Sequence, residues 1–261
     1  MKGRKDALWF SFKGVRSDEM GVHVRALPDI PVAEERGEEV EIPGRDGTLW
    51  ITDDSMHDIE LSIVIDVDKT ASVNAVAAWL SGYGELVLSS LADYCYHARI
   101  TQGFTFQRGL YVYGNYRAEV TFIANPYKYE IGNPALDAIF SPASIPGHGT
   151  IYSRPIITIY GNGDVNLAVN SCEVLIEDMV DYITIDCDAM MAYKGDENWS
   201  PQVSLFSNGD VDEWPSLRPE GQTNWIDWYD ETPGQGSTED VEVKTRYNVT
   251  KVIVQPNWRW R

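Results

Sequence analysis

The first chemistry to consider is that of Cys95 and His97, which stand two positions apart in a strand-like stretch. Alternate residues of a strand lie on one face, so a thiol and an imidazole could meet there as nucleophile and base. The sequence identifies no third group that would orient the imidazole. We therefore interpret the pair as structural. Since the sequence also contains no GxSxG, HExxH or nucleotide-binding glycine motif, we expect no enzyme activity.

Two pairs of aspartates offer a second kind of chemistry. Asp66 and Asp68 stand two positions apart at the end of a strand-like stretch, as do Asp186 and Asp188. Such carboxylates could share a proton in a glycoside hydrolase, or they could bind Ca²⁺. Neither pair continues into the calcium-loop pattern, which ends in Gly and a distant Glu. We interpret both pairs as solvated strand ends, and we expect no catalytic residue, no metal ion and no cofactor.

A group of aromatic and acidic residues near the C-terminus indicates binding rather than catalysis. Its members are Trp214, Trp225, Trp228 and Tyr229, with Asp212, Asp227 and Asp230. Exposed aromatic rings can stack on sugars while carboxylates accept hydrogen bonds from sugar hydroxyls, which favours a carbohydrate-binding β-sandwich module. The same rings could instead pack the edge of a sandwich or a protein interface, where Trp is enriched. Both interpretations remain open at this level.

Composition excludes several classes of partner. The 261 residues carry 40 acidic and 21 basic side chains, for a formal net charge of -19. A phosphate-binding surface needs clustered Lys and Arg, so we expect no direct nucleic-acid binding. No apolar run approaches the roughly 20 residues of a spanning helix, so we expect no membrane insertion. Three cysteines without a CxxC spacing argue against a disulfide framework.

The elements that position these residues are mostly strands. Residues 57–67 alternate apolar and polar side chains, which is typical of a half-buried strand. Residues 70–80 predict the single helix, because Val73, Val76, Ala77 and Leu80 have the spacing of one buried face. We expect its N-cap at Asp68 or Thr70. Further strands follow until Asn125-Pro126 ends the first set.

The chain is predicted to form two β domains. Residues 132–152 contain three Pro and three Gly without periodicity, which predicts a linker between an N-terminal domain at 1–131 and a second domain at 153–261. Short strands at regular spacing after residue 153, including one at 241–247, predict a β-sandwich. The fold class is therefore mainly β, with one helix and a long hairpin in the N-terminal part.

That hairpin turns at Pro43-Gly44-Arg45-Asp46-Gly47. Pro fixes φ and the two Gly supply positive φ, so the segment predicts first of all a tight turn between strands. Arg45 and Asp46 at the tip form our hypothesis for an interface between subunits.

In the order of several segments, the sequence resembles the distal tail proteins of siphophages and their prophages. These proteins are the hub of the tail tip or baseplate. The segments are Trp9 to Ser17, Met20 to Val22, Pro43 to Gly47, Trp79-Leu80, Phe122 to Pro126, Trp214 to Leu217, Gly221 to Ile226 and Val252 to Arg259. Together they run over almost the full chain. The passage at 227–240 is a departure, because it is longer, acidic and rich in Gly.

The resemblance implies a virion structural protein of the tail tip, assembled in the bacterial host cytoplasm. In that family the N-terminal β-sandwich, with its helix and hairpin, joins into a hexameric ring that prolongs the tail tube. The galectin-like C-terminal β-sandwich projects outwards. The implied partners are other copies of the chain, the tail tube, and tail-tip, receptor-binding or tail-associated proteins, with weak glycan contact as an additional expectation.

Overall fold

The structure of the chain is a computed structural model. It describes residues 8–108, 116–138, 141–207, 214–230 and 248–261. The chain divides into two compact units, Met1–Ile131 with Arg261 and Gly132–Trp260. Each unit has its own hydrophobic core. Among the described residues, no helix combines the length and the apolar character needed to cross a membrane.

The first unit is built around one antiparallel sheet. Its strands are β1 (Phe10–Phe12), β2 (Val15–Arg16), β3 (Val22–Ala26), β4 (Glu35–Glu41), β5 (Thr48–Met56), β6 (Ile59–Val67), β7 (Gly82–Leu88), β8 (Tyr94–Ile100), β9 (Gln107–Arg108) and β10 (Tyr116–Glu130). The sheet has the order β2-β1-β7-β8-β10-β6-β3, and β9 pairs with one end of β10. β4 and β5 form a separate two-stranded sheet. A short 3₁₀ turn occupies Ser89–Leu91.

The predicted alternation of β6 is confirmed. Ile59, Leu61, Ile63 and Ile65 are buried, whereas Glu60 lies exposed on the other face. β6 pairs with β10 over nine consecutive residues. Its other neighbour is the edge strand β3. The period-two pattern therefore placed the correct face of β6 in the core.

β10 does not end where the sequence predicted. The strand runs through Pro126 to Glu130, and its register with β8 shifts between Ala124 and Lys128. Proline has no N–H to donate to a neighbouring strand. At an irregularity of the ladder that donor is not needed, so the strand tolerates the proline there.

The helix α1 spans Val73–Trp79, within the predicted 70–80. The predicted N-cap was wrong, because the Ser72 side chain accepts the hydrogen bond from the Ala75 N–H at 3.3 Å. The buried residues of this segment are Val76, Trp79 and Leu80, while Ala77 is exposed. The prediction of the buried face was therefore correct for Val76 and Leu80 and wrong for Ala77.

Aromatic rings join α1 to the sheet. The Trp79 ring stacks on Phe10 at 5.3 Å between ring centroids, and its indole N–H donates to the Phe12 carbonyl at 2.9 Å. Phe122 of β10 contacts Phe10 and Phe12 edge-on, at 6.0 and 5.2 Å. This cluster is the aromatic part of the first core, and it links strands far apart in the sequence.

Asp66 is a charged residue buried in β6, with 5% of its surface exposed. Its carboxylate accepts hydrogen bonds from Arg25 and from the Arg117 Nε, the latter at 2.9 Å. Burial raises the pKa of this carboxyl, but the hydrogen bonds from Arg117 and Arg25 outweigh burial and hold the pKa below its usual range. The ion pairs tie β3, β6 and β10 together on the polar face of the sheet.

Replacing this carboxylate gives a prediction with a defined pH dependence. Asp66→Asn should lower the free energy of unfolding by about 2 kcal/mol at neutral pH, because charge-assisted hydrogen bonds are lost. The folded-state pKa lies below the ordinary Asp value of about 3.9, so the stabilisation is present above that pH and disappears as the pH falls through the folded-state value. Urea unfolding at about pH 7 and about pH 3 measures it. An equal difference between the two proteins at both pH values would contradict the ion pairs.

The second unit is a β-sandwich, as predicted. Its strands are β11 (Leu136–Ala138), β12 (Ala143–Pro146), β13 (Ile156–Gly161), β14 (Gly163–Val169), β15 (Cys172–Met179), β16 (Tyr182–Asp186), β17 (Met191–Lys194), β18 (Glu197–Asn198), β19 (Val203–Ser207), β20 (Thr223–Asp230), β21 (Val249–Gln255) and β22 (Arg259–Trp260). One sheet has the order β11-β21-β13-β16-β17-β18 and the other β12-β20-β14-β15-β19. A single core cluster takes side chains from both sheets. A 3₁₀ turn lies at Ser200–Gln202.

Two parts of this unit differ from the sequence-based expectation. β11 and β12 lie within 132–152, the range suggested as a linker, and they pair with β21 and β20. Edge strands of three and four residues are too short to show periodicity. β20 was not predicted, although Asn224, Ile226 and Trp228 alternate as buried residues. The strand expected at 241–247 lies outside the described residues.

Candidate functional site

The β4–β5 hairpin carries the residues predicted to form an interface. Its strands pair antiparallel from Glu41 opposite Thr48 to Glu35 opposite Met56. At the tip, the Arg45 N–H donates to the Ile42 carbonyl at 3.1 Å. Gly44 and Gly47 have positive φ angles of 85° and 77°, as the turn requires. The structure therefore places Arg45 and Asp46 side by side and exposed at the end of the hairpin.

The hairpin exposes large apolar side chains on both faces. Ile51 is 53% exposed and lies opposite Glu38, on the face that also carries the half-buried Val40 and Leu49. Trp50 lies on the other face and is 47% exposed. Apolar groups spread along an element outside the main sheet are typical of a contact surface. The exposure of Trp50 and Ile51 could not be predicted from the sequence, because the same residues also fit a buried strand.

Trp50 packs across the backbone of the neighbouring strand at Gly37. A Cβ added at Gly37 would lie 2.3 Å from the Trp50 ring, which is far inside contact distance. The ladder shifts register between Glu35 and Gly37, beside this contact. Glycine thus lets the indole pack closely against β4, and this contact holds the large exposed ring in position. A fixed aromatic ring loses little conformational entropy on binding.

The edges and charge of the hairpin limit what can bind it. Within the part of the chain that the structure describes, β4 and β5 pair only with each other, so both outer edges present backbone donors and acceptors. A two-stranded hairpin is marginally stable alone in water, and its edges are ready to pair with another chain. Residues 35–56 contain seven acidic and two basic side chains. A partner surface should therefore be apolar at its centre and basic around it.

Cys95 and His97 lie on one face of β8, as the sequence predicted, and the structure adds Glu85. Glu85 of β7 is directly opposite His97 in the ladder. Burial, with a further contribution from the Glu85 charge, raises the pKa of the Cys95 thiol to about 11. The thiol is protonated at neutral pH and is a poor nucleophile in this state. Glu85 was not predicted to join this pair, because the register between two strands cannot be read from either strand alone.

The aspartate pairs have structural partners. The Asp186 carboxylate accepts hydrogen bonds from the backbone N–H groups of Asp188 and Ala189, at 3.0 and 2.9 Å, and so closes the turn after β16. Asp68 lies 3.1 Å from the His23 Nε2. These contacts agree with the interpretation of Asp68, Asp186 and Asp188 as strand-end residues. The interpretation of Asp66 as solvated was wrong, because this residue is only 5% exposed and its carboxylate pairs with Arg25 and Arg117.

The aromatic group near the C-terminus is divided by the fold. Trp228 is buried in the core with 3% exposed, whereas Trp225 on the opposite face of β20 is 54% exposed. Trp214 lines a cavity of about 370 Å³ together with Tyr152 and Arg218. Asp212 lies outside the described residues. The predicted group is therefore not one surface, because alternate residues of a strand point to opposite sides.

Comparisons with known proteins show which known fold the chain resembles. No protein-family model and no curated protein matches the chain. Among solved structures, the chain is similar to the crystal structure of the Dit (gp 19.1) protein of phage SPP1, described as a paradigm of the hub adsorption apparatus in phages that infect Gram-positive bacteria. The TM-score is 0.64 and the sequence identity 13%, over 96% of this chain and 99% of the Dit chain. The chain thus has the fold of the SPP1 Dit protein over nearly its whole length.

Proposed function

We propose that the chain is a structural component of a phage tail tip, forming a hexameric hub ring that joins the tail tube to the host-adsorption apparatus. The observation that supports this most strongly is the likeness to SPP1 Dit over 96% of this chain, which includes both units. Fold alone does not determine function, so features of the surface are also needed. The exposed apolar side chains of the β4–β5 hairpin support a contact between subunits.

In this proposal the hairpin is a contact between neighbouring subunits of the ring. A closed ring of more than two copies uses heterologous contacts, in which one patch meets a different patch on the next copy. The tip residues Arg45 and Asp46 and the exposed Ile51 belong to the first patch. Pairing by a neighbour would cover the backbone edges of β4 or β5 and the apolar groups between them.

The negative net charge of the chain supports a ring that surrounds DNA without binding it. With a formal net charge of -19, the chain repels a polyanion at long range. The second unit, with 20 acidic and 7 basic residues in 132–260, belongs at the outside of the ring, where tail-associated or receptor-binding proteins attach. Its acidic surface would be repulsive if six copies met around the axis. The location that follows is the virion tail tip.

The test of this proposal is the assembly state of the purified full-length chain. Light scattering coupled to size exclusion should give the mass of six chains, and negative-stain electron micrographs should show six-fold rings. Addition of the matching tail-tube protein should produce end-on complexes. A chain that stays monomeric at every concentration, both alone and with the tube protein, would contradict the proposal.

A further inference from the structure

We propose that Glu85, Cys95 and His97 bind one divalent transition-metal ion of the Zn²⁺ class on the polar face of the first sheet. One ligand atom from each of these residues, a carboxylate oxygen, the thiol sulfur and an imidazole nitrogen, lies within 4.8 Å of the other two. The site differs from the hairpin surface and does not depend on the ring. From the sequence we expected no metal ion, because the three cysteines lack the CxxC spacing of a zinc site.

The sheet brings the three ligands together by register. Glu85 pairs directly with His97 and Val87 pairs with Cys95, so the three ligand residues lie on the same face of β7 and β8. The intervening residues, Leu86 and Tyr96, are buried in the core on the other face. The spacing of the ligands therefore follows from paired strands, which are among the more rigid parts of a protein.

The ligand set has the chemistry that zinc prefers. Thiolate, imidazole and carboxylate ligands bind Zn²⁺ at about 2.3, 2.0 and 2.1 Å, in tetrahedral geometry. Three protein ligands leave the fourth position for water. The mixture with sulfur disfavours Mg²⁺ and Ca²⁺, which select oxygen ligands. The exposed Glu85 side chain is free of core packing and can adjust its position around an ion.

The surroundings hold the imidazole and admit an ion. The His97 ring stacks on Tyr129 at 4.2 Å between centroids, with 15° between the ring planes. Tyr129 belongs to β10 and is directly opposite Cys95. The stack fixes the plane of the imidazole before the ion arrives, which is the role that supporting residues have in metal sites. Glu85 is exposed and His97 half-buried, so solvent reaches the ligands.

A bound ion would join β7 and β8 across the middle of the sheet. Because it binds the folded sheet more tightly than the unfolded chain, it should stabilise the first unit by an amount that rises with the logarithm of its concentration above the dissociation constant. This gives a readout that is independent of assembly and of any tail partner.

The experiment is a Co²⁺ titration of the untagged full-length chain, reduced and freed of metal with a chelator. Binding through Cys95 should produce a thiolate-to-cobalt charge-transfer band in the near ultraviolet that saturates at one ion per chain, and Zn²⁺ should abolish the band. Cys95→Ser should remove the band, and His97→Gln or Glu85→Gln should weaken Zn²⁺ binding by about 100-fold or more. Zn²⁺ should also raise the thermal midpoint of the wild-type protein but not of these variants.

Matched controls make the result specific. His57→Gln and Glu60→Gln change an exposed histidine and an exposed glutamate of the same unit outside the cluster, and both should bind like the wild type. If Cys95→Ser does not fold, the exposed Glu85→Gln gives the decisive comparison. Failure of the wild-type chain to bind Co²⁺ or Zn²⁺ stoichiometrically would overturn the site, as would equal binding by Glu85→Gln. Ring formation without metal binding would leave the proposed function standing and reject only this site.

Discussion

Ile51→Lys should leave the chain folded and should break the ring into smaller species. The side chain is 53% exposed, so the substitution should change the free energy of unfolding by no more than about 0.5 kcal/mol. In a ring contact the same residue would be covered by the next subunit, and a charge there would have to be buried without a partner. Such a change costs about 2 kcal/mol or more at a central interface residue, or roughly 30-fold in affinity per contact.

The matched control for this experiment is Val180→Lys. Val180 is 50% exposed and belongs to the second unit, whereas the hairpin belongs to the first. Light scattering over a dilution series should show dissociation of Ile51→Lys at concentrations where Val180→Lys and the wild type remain assembled. Arg45→Ala with Asp46→Ala should have a smaller effect, since exposed charges contribute less. Equal assembly of Ile51→Lys and Val180→Lys would remove the hairpin from the contact.

Phe122→Ala should destabilise the first unit more than any surface change. The ring is fully buried and contacts both Phe10 and Phe12, which lie more than 100 residues away in the sequence. Truncation of a buried Phe to Ala costs about 3 to 5 kcal/mol, through lost burial and the cavity left behind. For a unit of this size the loss corresponds to a fall in melting temperature of roughly 10 to 20 °C.

Differential scanning calorimetry of the full-length chain measures this loss. The separate cores of the two units let the transition of the first unit shift while that of the second stays in place. Phe206→Ala is the control, because its ring is 53% exposed and its truncation should change neither transition measurably. A shift below about 1 kcal/mol for Phe122→Ala would show that the aromatic cluster does not hold the first unit together.

The sequence by itself determined the features that depend on neighbours along the chain. The alternation from Ile59 to Val67 set the buried face of β6, because a strand exposes alternate residues to one side. The spacing before Leu80 located the helix, and the Pro and Gly at 43–47 located the hairpin turn. The same local rules predicted a mainly β chain, which the structure confirms. They could also have revealed β20, whose buried residues alternate.

Only the tertiary structure decided which strands are neighbours and what their pairing brings together. Glu85 meets His97 through the register of β7 and β8, and Asp66 meets Arg117 through that of β6 and β10. The face on which Trp225 is exposed likewise depends on what covers β20. The physical reason is that strand register is selected by packing and hydrogen bonding between segments distant in sequence. No local pattern in one strand records the position of its partner.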